Sequence, residues 1–410
     1  MKKILAITLA LAMVLVLMTA CGNSSTTESS VPESSAPESS APESSAPSGD
    51  TIKIGLLANT TGDAAQYGIA VKNGAMLYID QVNANGGVNG KQIEVIAYDD
   101  KGDATEATTA FTRLVDDGVT AVIGSVLTKT TIAVADESYD INMPQITASA
   151  TAPGVTMLDP DDPSAGIREN VFRSCFIDPF QGEKMAEYAS EKLGAKTAAV
   201  IFETGNDYAE GLKSSFVDKC AELGITVTSE QAYATGDVDF KAQMTSIASE
   251  QPDVIFCPNY YEDDGMIVTQ ARQVGVTGTF LGGDGWAGVK DYASAEDLEG
   301  SVYCSGYGMG ANPDFEAAYQ EKYGEAITGM FEPLGYDAAM LMINAVTEAE
   351  NQGLTAGTDE YKQAIIDAMK ATDGLQGLTG TFAFDEYNNP IKSASMIKLE
   401  GGEEVFTELF

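Results

Sequence analysis

Residues 52–98, IKIGLLANTTGDAAQYGIAVKNGAMLYIDQVNANGGVNGKQIEVIAY, hold a strand, a helix and a second strand. Ile52-Lys53-Ile54-Gly55-Leu56-Leu57 is the short apolar run of a buried strand. Gly68, Val71, Ala75, Ile79 and Val82 then recur at helical spacing and mark one face. Asn85-Gly86-Gly87 stops that helix, and Ile93–Tyr98 reads as the next strand. Working outward, Asp103 and Glu106 have the spacing of a capping box, followed by the apolar stripe Ala107, Ala110, Phe111 and Leu114. Val119–Ile123 is a third strand, and the rhythm returns in Ala198–Phe202 and Val254–Cys257. Such alternation predicts parallel, doubly wound α/β sheets. The chain of 410 residues exceeds one core of this kind, so two lobes are expected.

Ahead of this body stands an export address. Lys2 and Lys3 precede an apolar run, Ile4–Met18, which ends in Thr19-Ala20-Cys21-Gly22. The run is too short for a spanning helix and has the flanks of a secretory signal, expected over residues 1–20. Small residues around Cys21 point to cleavage before it and acylation of its thiol. Residues 21–50 repeat Pro-Glu-Ser-Ser-Ala, with Pro32, Pro37, Pro42 and Pro47 in register. That composition buries no apolar surface and reads as a disordered tether. Its expected end-to-end distance is on the order of 30 Å. The expected location is the outer face of the cell membrane, with the lipid as the only membrane contact.

The formal net charge of -38 repels phosphate backbones and argues against nucleic-acid partners. The sequence has no histidine, which removes Ser-His and Cys-His nucleophiles and the commonest zinc ligand. No cofactor motif is present. Cys175, Cys220, Cys257 and Cys304 allow three full pairings in an exported protein, yet each sits in an apolar context that suits a reduced core thiol.

In open parallel sheets, ligands bind beyond the carboxyl ends of the strands. In the first half those positions hold Asn59-Thr60-Thr61-Gly62, then Gln66-Tyr67, then Ser125–Thr128, and, after Gln145-Ile146, the run Thr147-Ala148-Ser149-Ala150-Thr151. Hydroxyls and free N–H groups at helix starts suit a carboxylate. In the second half they hold Glu203 to Tyr208, Pro258 to Tyr261, and Gly282-Gly283-Asp284-Gly285-Trp286. Taken singly, each Thr or Ser is a helix cap, each Tyr a core residue, and Asp284 a turn cap. Taken together they can hold a carboxylate, an ammonium and an apolar side chain.

At these residues the chain resembles the leucine/isoleucine/valine-binding proteins of ABC transporters, with the type I periplasmic binding protein fold. The resemblance runs from about Thr51 to Leu399. It is carried by Gln66-Tyr67-Gly68, the run Val82 to Lys91, Tyr98-Asp99-Asp100, Val122-Ile123-Gly124, Thr147 to Pro153, Tyr208-Ala209-Glu210-Gly211 and Ala271 to Gly275. The resemblance implies that Thr128 binds the ligand carboxylate, that Ser149 and Thr151, with Ala150 between them, meet carboxylate and ammonium, and that Asp284 takes the ammonium. Tyr208 and Tyr260 match aromatic positions of the second lobe. Tyr67, Trp286 and Phe331 match or adjoin the side-chain pocket. Asp284 is one methylene shorter than the Glu common in relatives, and Gly102 and Leu127 stand where some relatives have disulfide cysteines. The resemblance also implies hinges near Arg173–Ile177, Tyr303–Tyr307 and Phe382–Tyr387. The first lobe is then 51–174 with 306–384, and the second 175–305 with 385–410. A monomer that delivers an amino acid to permease subunits is expected.

Two other functions compete. A carboxylate hydrolase would use Asp99, Asp100 or Asp284, but no triad or metal cluster accompanies them. The glycines from Gly86 to Lys91 lack the Ser/Thr of a phosphate loop, having Gln92 instead. A sensor module, or a binder of amides, urea or aromatic compounds, is the second; Asp284 argues for a ligand with an ammonium.

Overall fold

The computed structural model describes residues 51–410. The signal segment, Cys21 and the tether lie outside the described residues. The element order is β1(Ile52–Ala58), α1(Ala65–Ala84), β2(Ile93–Asp99), α2(Ala104–Asp116), β3(Ala121–Ile123), α3(Thr128–Asp140), β4(Gln145–Thr147) and β5(Val171–Arg173). Next come α4(Asp178–Glu191), β6(Thr197–Glu203), α5(Asp207–Leu223), β7(Thr226–Tyr233), α6(Lys241–Glu250), β8(Val254–Cys257), α7(Tyr261–Gln273), β9(Thr279–Gly282), α8(Ala295–Leu298) and β10(Val302–Ser305). The chain ends with α9(Pro313–Tyr323), α10(Phe331–Asn351), α11(Asp359–Lys370), β11(Asp373–Gln376), β12(Thr381–Ala383), β13(Ser395–Glu400) and β14(Glu403–Leu409).

The first sheet has the order β2-β1-β3-β4-β5, and every pair is parallel. Successive side chains of a strand point to opposite faces, and β1 shows it: Ile52, Ile54 and Leu56 enter one core, Leu57 another. The second of these cores holds Ala107, Phe111 and Leu114 of α2 with Val134 of α3. The other holds Val71, Ala75 and Ile79 of α1 with much of α10. Asp103 caps α2 by accepting from Thr105 N and Glu106 N at 2.9 and 3.0 Å.

The second sheet has the order β14-β13-β10-β9-β8-β6-β7. Strands β6 to β10 pair in parallel, as expected, but β13 and β14 pair antiparallel at one edge. That edge departs from the all-parallel expectation. An antiparallel partner needs only a short connection, which Gly401-Gly402 supplies between β13 and β14.

The chain passes between the sheets after β5, after β10 and before β13. Phe384 bridges to Pro390, and Asn388 donates its side-chain N–H to the Val171 carbonyl at 3.0 Å. Residues 385–390 therefore stay against the first sheet, and the passage falls at 391–394. All four cysteines among the described residues are buried free thiols, none in a disulfide.

Candidate ligand-binding site

Three loops at the carboxyl ends of the first sheet converge. Gln145 pins the end of β3 by donating to the Gly124 carbonyl at 2.8 Å. The Thr147 hydroxyl donates to the Ser125 carbonyl at 2.7 Å and accepts from Ala150 N at 3.1 Å, which folds residues 147–150 into a tight hook. Ser149 donates its hydroxyl to the Val126 carbonyl at 2.9 Å. That hydroxyl is therefore committed, and Ser149 can offer a ligand chiefly its backbone. Helix α3 starts beside this hook with no side chain capping its amino end, although Thr128 is buried. Buried helix N–H groups need partners, and an anion supplies them.

The second sheet brings up the opposite polarity. Asp284 is 2% exposed. Its carboxylate accepts the Tyr208 hydroxyl proton at 2.8 Å, and Tyr208 in turn accepts from Gly285 N at 2.9 Å. Gln181 Oε1 accepts from Asp284 N at 2.9 Å and fixes the turn to α4. Burial pushes the Asp284 carboxyl up to about 6, with the Tyr208 hydroxyl acting against that rise. Among the described residues Asp284 has no salt-bridge partner. Tyr208 and Tyr260 stack with ring centres 5.1 Å apart.

Between the halves lies a small cavity of about 20 Å³. Tyr67, Val126, Leu127, Thr128, Ser149 and Phe331 wall it on one side, and Tyr208, Tyr260, Asp284 and Gly285 on the other. Tyr67 and Phe331 stack at 4.1 Å, which closes the apolar end. The lobes meet directly here: Tyr67 donates its hydroxyl to the Gly285 carbonyl at 2.5 Å and accepts from Tyr261 N at 3.4 Å. Replacing Tyr67 by Phe removes this bond and keeps the ring. The expected result is a loss of about 1 kcal/mol in ligand affinity, expressed as faster release in stopped-flow dissociation.

Most of the expected site residues come together. Thr128, Ser149, Tyr208, Tyr260, Asp284, Tyr67 and Phe331 line the cavity. Ala150 and Thr151 lie just behind it, buried, with the Ala150 carbonyl held by Arg173 at 2.9 Å. Trp286 is the correction. Its indole does not face the cavity but lies against Gly282, where any Cβ would sit 2.1 Å from the ring, and its N–H donates to the Cys257 carbonyl at 2.8 Å. A buried indole N–H needs an acceptor, and this one lies in the core beneath the site. Asp99 and Asp100 serve turns rather than the cavity: Asp99 accepts from Thr60 N and Lys101 N, and Asp100 from Ser125 and Gly102. Val126, Leu127 and Gly285 also line the cavity; the sequence places them in the loops beyond the strands but assigns them no contact. Among the described residues no cluster of His, Cys, Asp or Glu could hold a metal ion. No helix among them is long and apolar enough to cross a membrane.

The chain is similar to several known proteins along most of its length. The chain is 30% identical over 359 residues to a Leu/Ile/Val-binding protein of Rhizobium johnstonii, covering 87% of this chain and 94% of that one. It is 29% identical over 341 residues to a leucine-, isoleucine-, valine-, threonine- and alanine-binding protein of Pseudomonas aeruginosa, covering 82% and 86%. Among solved structures, a Streptococcus pneumoniae branched-chain amino acid transporter substrate-binding protein in complex with isoleucine superposes with a TM-score of 0.78. It is 32% identical and the match covers 88% of this chain and 99% of that one. A leucine-binding protein of Thermotoga maritima has the same TM-score and is 31% identical, with the same coverage. The profile described as "Periplasmic binding protein" matches residues 51–403, and the chain belongs to that family.

Proposed function

We propose that this protein captures one free α-amino acid with an apolar side chain and presents it to the permease of an ABC importer. The observation that carries the reading is the polarity of the cavity. A buried, unpaired carboxylate at Asp284 stands across from the uncapped amino end of α3, with aromatic walls between. An isolated buried charge costs several kcal/mol unless a partner neutralises it. A ligand with an ammonium and a carboxylate satisfies both ends at once. The names of the relatives support a branched-chain substrate.

The chain acts as a binder rather than an enzyme, a reading that the names of its relatives support. Cys21 anchors it through a lipid, the 21–50 segment is the spacer, and it works as a monomer. A thermal-shift panel of the standard amino acids, with urea, acetamide and benzoate added, tests the reading, because a ligand that binds only the folded state raises the melting temperature by mass action. Leucine, isoleucine or valine is expected to give the largest shift. A larger shift from urea, acetamide or benzoate would overturn the reading.

Binding should depend on pH with a definite sign. The ammonium needs Asp284 ionised, and in the empty site that carboxyl titrates at about 6. Affinity is expected to be flat above about pH 6 and to fall below it by up to about tenfold per pH unit. The empty protein follows the opposite sign. Because the folded value lies above the ordinary 3.8, Asp284 favours the folded state when protonated, and that contribution is lost as pH rises from about 4 to about 6. Calorimetric titration from pH 5 to 8 checks the affinity trend.

A further inference from the structure

The three passages between the lobes meet near the start of α10. Cys175 and Phe176 of the first, Gly306 of the second and Lys392 of the third line one narrow gap against Leu334 of α10. Ser174 ties the first passage to α10 by donating its hydroxyl to the Leu334 carbonyl at 3.0 Å. Gly306 N ties the second by donating to the Met330 sulfur at 3.0 Å. The third is held through Lys392, which reaches into the turn between β11 and β12. Its Nζ donates to the Thr379 hydroxyl at 2.5 Å and to the Thr379 carbonyl at 3.2 Å, and stands 3.7 Å from the centre of the Phe382 ring.

Asp337 of α10, fully buried, grips the same turn. It accepts from Leu378 N and Thr379 N at 2.8 Å each and from the Thr379 hydroxyl at 2.6 Å. The Thr379 hydroxyl thus accepts from the ammonium and donates to the carboxylate. Gly377 permits this packing, since a Cβ there would come within 2.5 Å of the Phe382 ring and 2.7 Å of an Asp337 oxygen. Asn312, shortly after the second passage, donates to the Leu378 carbonyl at 2.9 Å, so the turn bears on that passage too.

A loop lysine is ordinarily solvated and adds little. Lys392 is half-buried, and desolvation pulls its ammonium down to about 8 against the pull of Asp337 and Cys175, the titratable groups that face it. At neutral pH it still carries its proton, so the ring face and the Asp337 charge both attract it. The consequence falls on the freedom of the hinge. Pro390 is bridged to Phe384 on the first-lobe side. On the second-lobe side the Ala394 carbonyl accepts from Phe410 N at 2.9 Å, and β13 begins at Ser395. With Lys392 fastened, the backbone left to turn is short and centres on the exposed Ser393. Without it, residues 391–393 are all released.

We infer that Lys392 is a positioning residue for lobe closure: through Thr379 it fastens the third passage to the first lobe and confines the hinge there to Ser393. This rests on the amino-acid reading above for its ligand and adds what favours the closed form. Closure fixes the passage whatever its freedom, so added freedom favours the open form. A looser hinge therefore releases the ligand sooner, with no ligand contact changed.

The test is stopped-flow association and release of L-leucine for the wild-type chain, Lys392→Met, Thr379→Val and the double variant. Lys392→Met is expected to release L-leucine about tenfold faster, the size of freeing one or two backbone residues, with association within about twofold of wild type. Thr379→Val is expected to give much of that gain, and the double variant no more than Lys392→Met, because the two side chains act as one unit. A merely structural lysine would leave release unchanged. Release by Lys392→Met within about twofold of wild type, or a double variant equal to the product of the singles, overturns the role. Hydrogen exchange of residues 377–380 and 391–394 in the ligand-free protein is the second readout, expected to quicken in both single variants. Should Lys392→Met not fold, Thr379→Val carries both readouts. If wild type binds no amino acid, the function proposed above falls and the exchange decides the hinge; unchanged exchange overturns it.

Discussion

Replacing Asp284 by Asn is expected to weaken leucine binding by about 3–5 kcal/mol, the range for removing one partner of a buried ion pair. The carboxylate has no cationic partner of its own among the described residues, and under the proposed function the ligand supplies one. Asn keeps the side-chain shape and can still accept from Tyr208, which bonds Asp284 at 2.8 Å. The fold should therefore survive, and empty Asp284→Asn is expected to melt at or above the wild-type temperature near pH 7, because it no longer buries a charge. Calorimetry gives the affinity and a thermal scan the stability. The opposite movement of the two separates a lost ligand contact from a damaged fold.

Replacing Gly335 by Ala is expected to destabilise the protein by about 3 kcal/mol or more, at the upper end of overpacking effects. Helices α1 and α10 touch backbone to backbone. A Cβ on Gly335 would sit 2.2 Å from the Val71 carbonyl oxygen, and one on Gly74 would sit 1.9 Å from the Glu332 carbonyl oxygen. Backbone cannot step aside as a flexible side chain does, so the helices must separate. The consequence reaches the cavity, because α1 carries Tyr67 and α10 begins at Phe331, and their rings stack at 4.1 Å. Denaturant unfolding should show a lower midpoint, and affinity for leucine should fall with it. An unchanged midpoint would mean the interface has slack that the close approach denies.

Much of this arrangement can be read from the sequence, and for a physical reason. Short apolar runs such as Ile52–Leu57 and Val254–Cys257 are buried on both faces only in a parallel sheet. A parallel sheet gathers the carboxyl ends of its strands, so residues next to those ends can be placed near one another without knowing the fold in detail. Thr128, Ser149, Tyr208, Tyr260 and Asp284 became visible that way. Trp286 obeyed the same rule of position and yet turned inward, because Gly282 leaves room for the ring and the Cys257 carbonyl takes its N–H. Neither condition shows in local pattern.

Other features depend on contacts far along the chain. Asp178 precedes Pro179 and reads as an ordinary helix start. It is buried only because the chain passes from β5 into α4 at the cleft and α5 packs over it through Gly211. The antiparallel edge of β13 and β14 is mixed in polarity and partly exposed, so it carries no strong apolar signal. The segment before β13 holds to the first sheet through Asn388, whose side-chain N–H donates to the Val171 carbonyl.

Titration of the wild-type chain with three isosteric molecules asks most directly whether this cavity holds two opposite charges. The three are L-leucine, 4-methylpentanoate, which lacks the ammonium, and 3-methylbutylamine, which lacks the carboxylate. L-leucine is expected to bind in the micromolar range, about -8 kcal/mol, with each truncated molecule weaker by about 100-fold or more because it leaves one end of the site buried and unmet. Binding of either truncated molecule within about tenfold of L-leucine would contradict the reading.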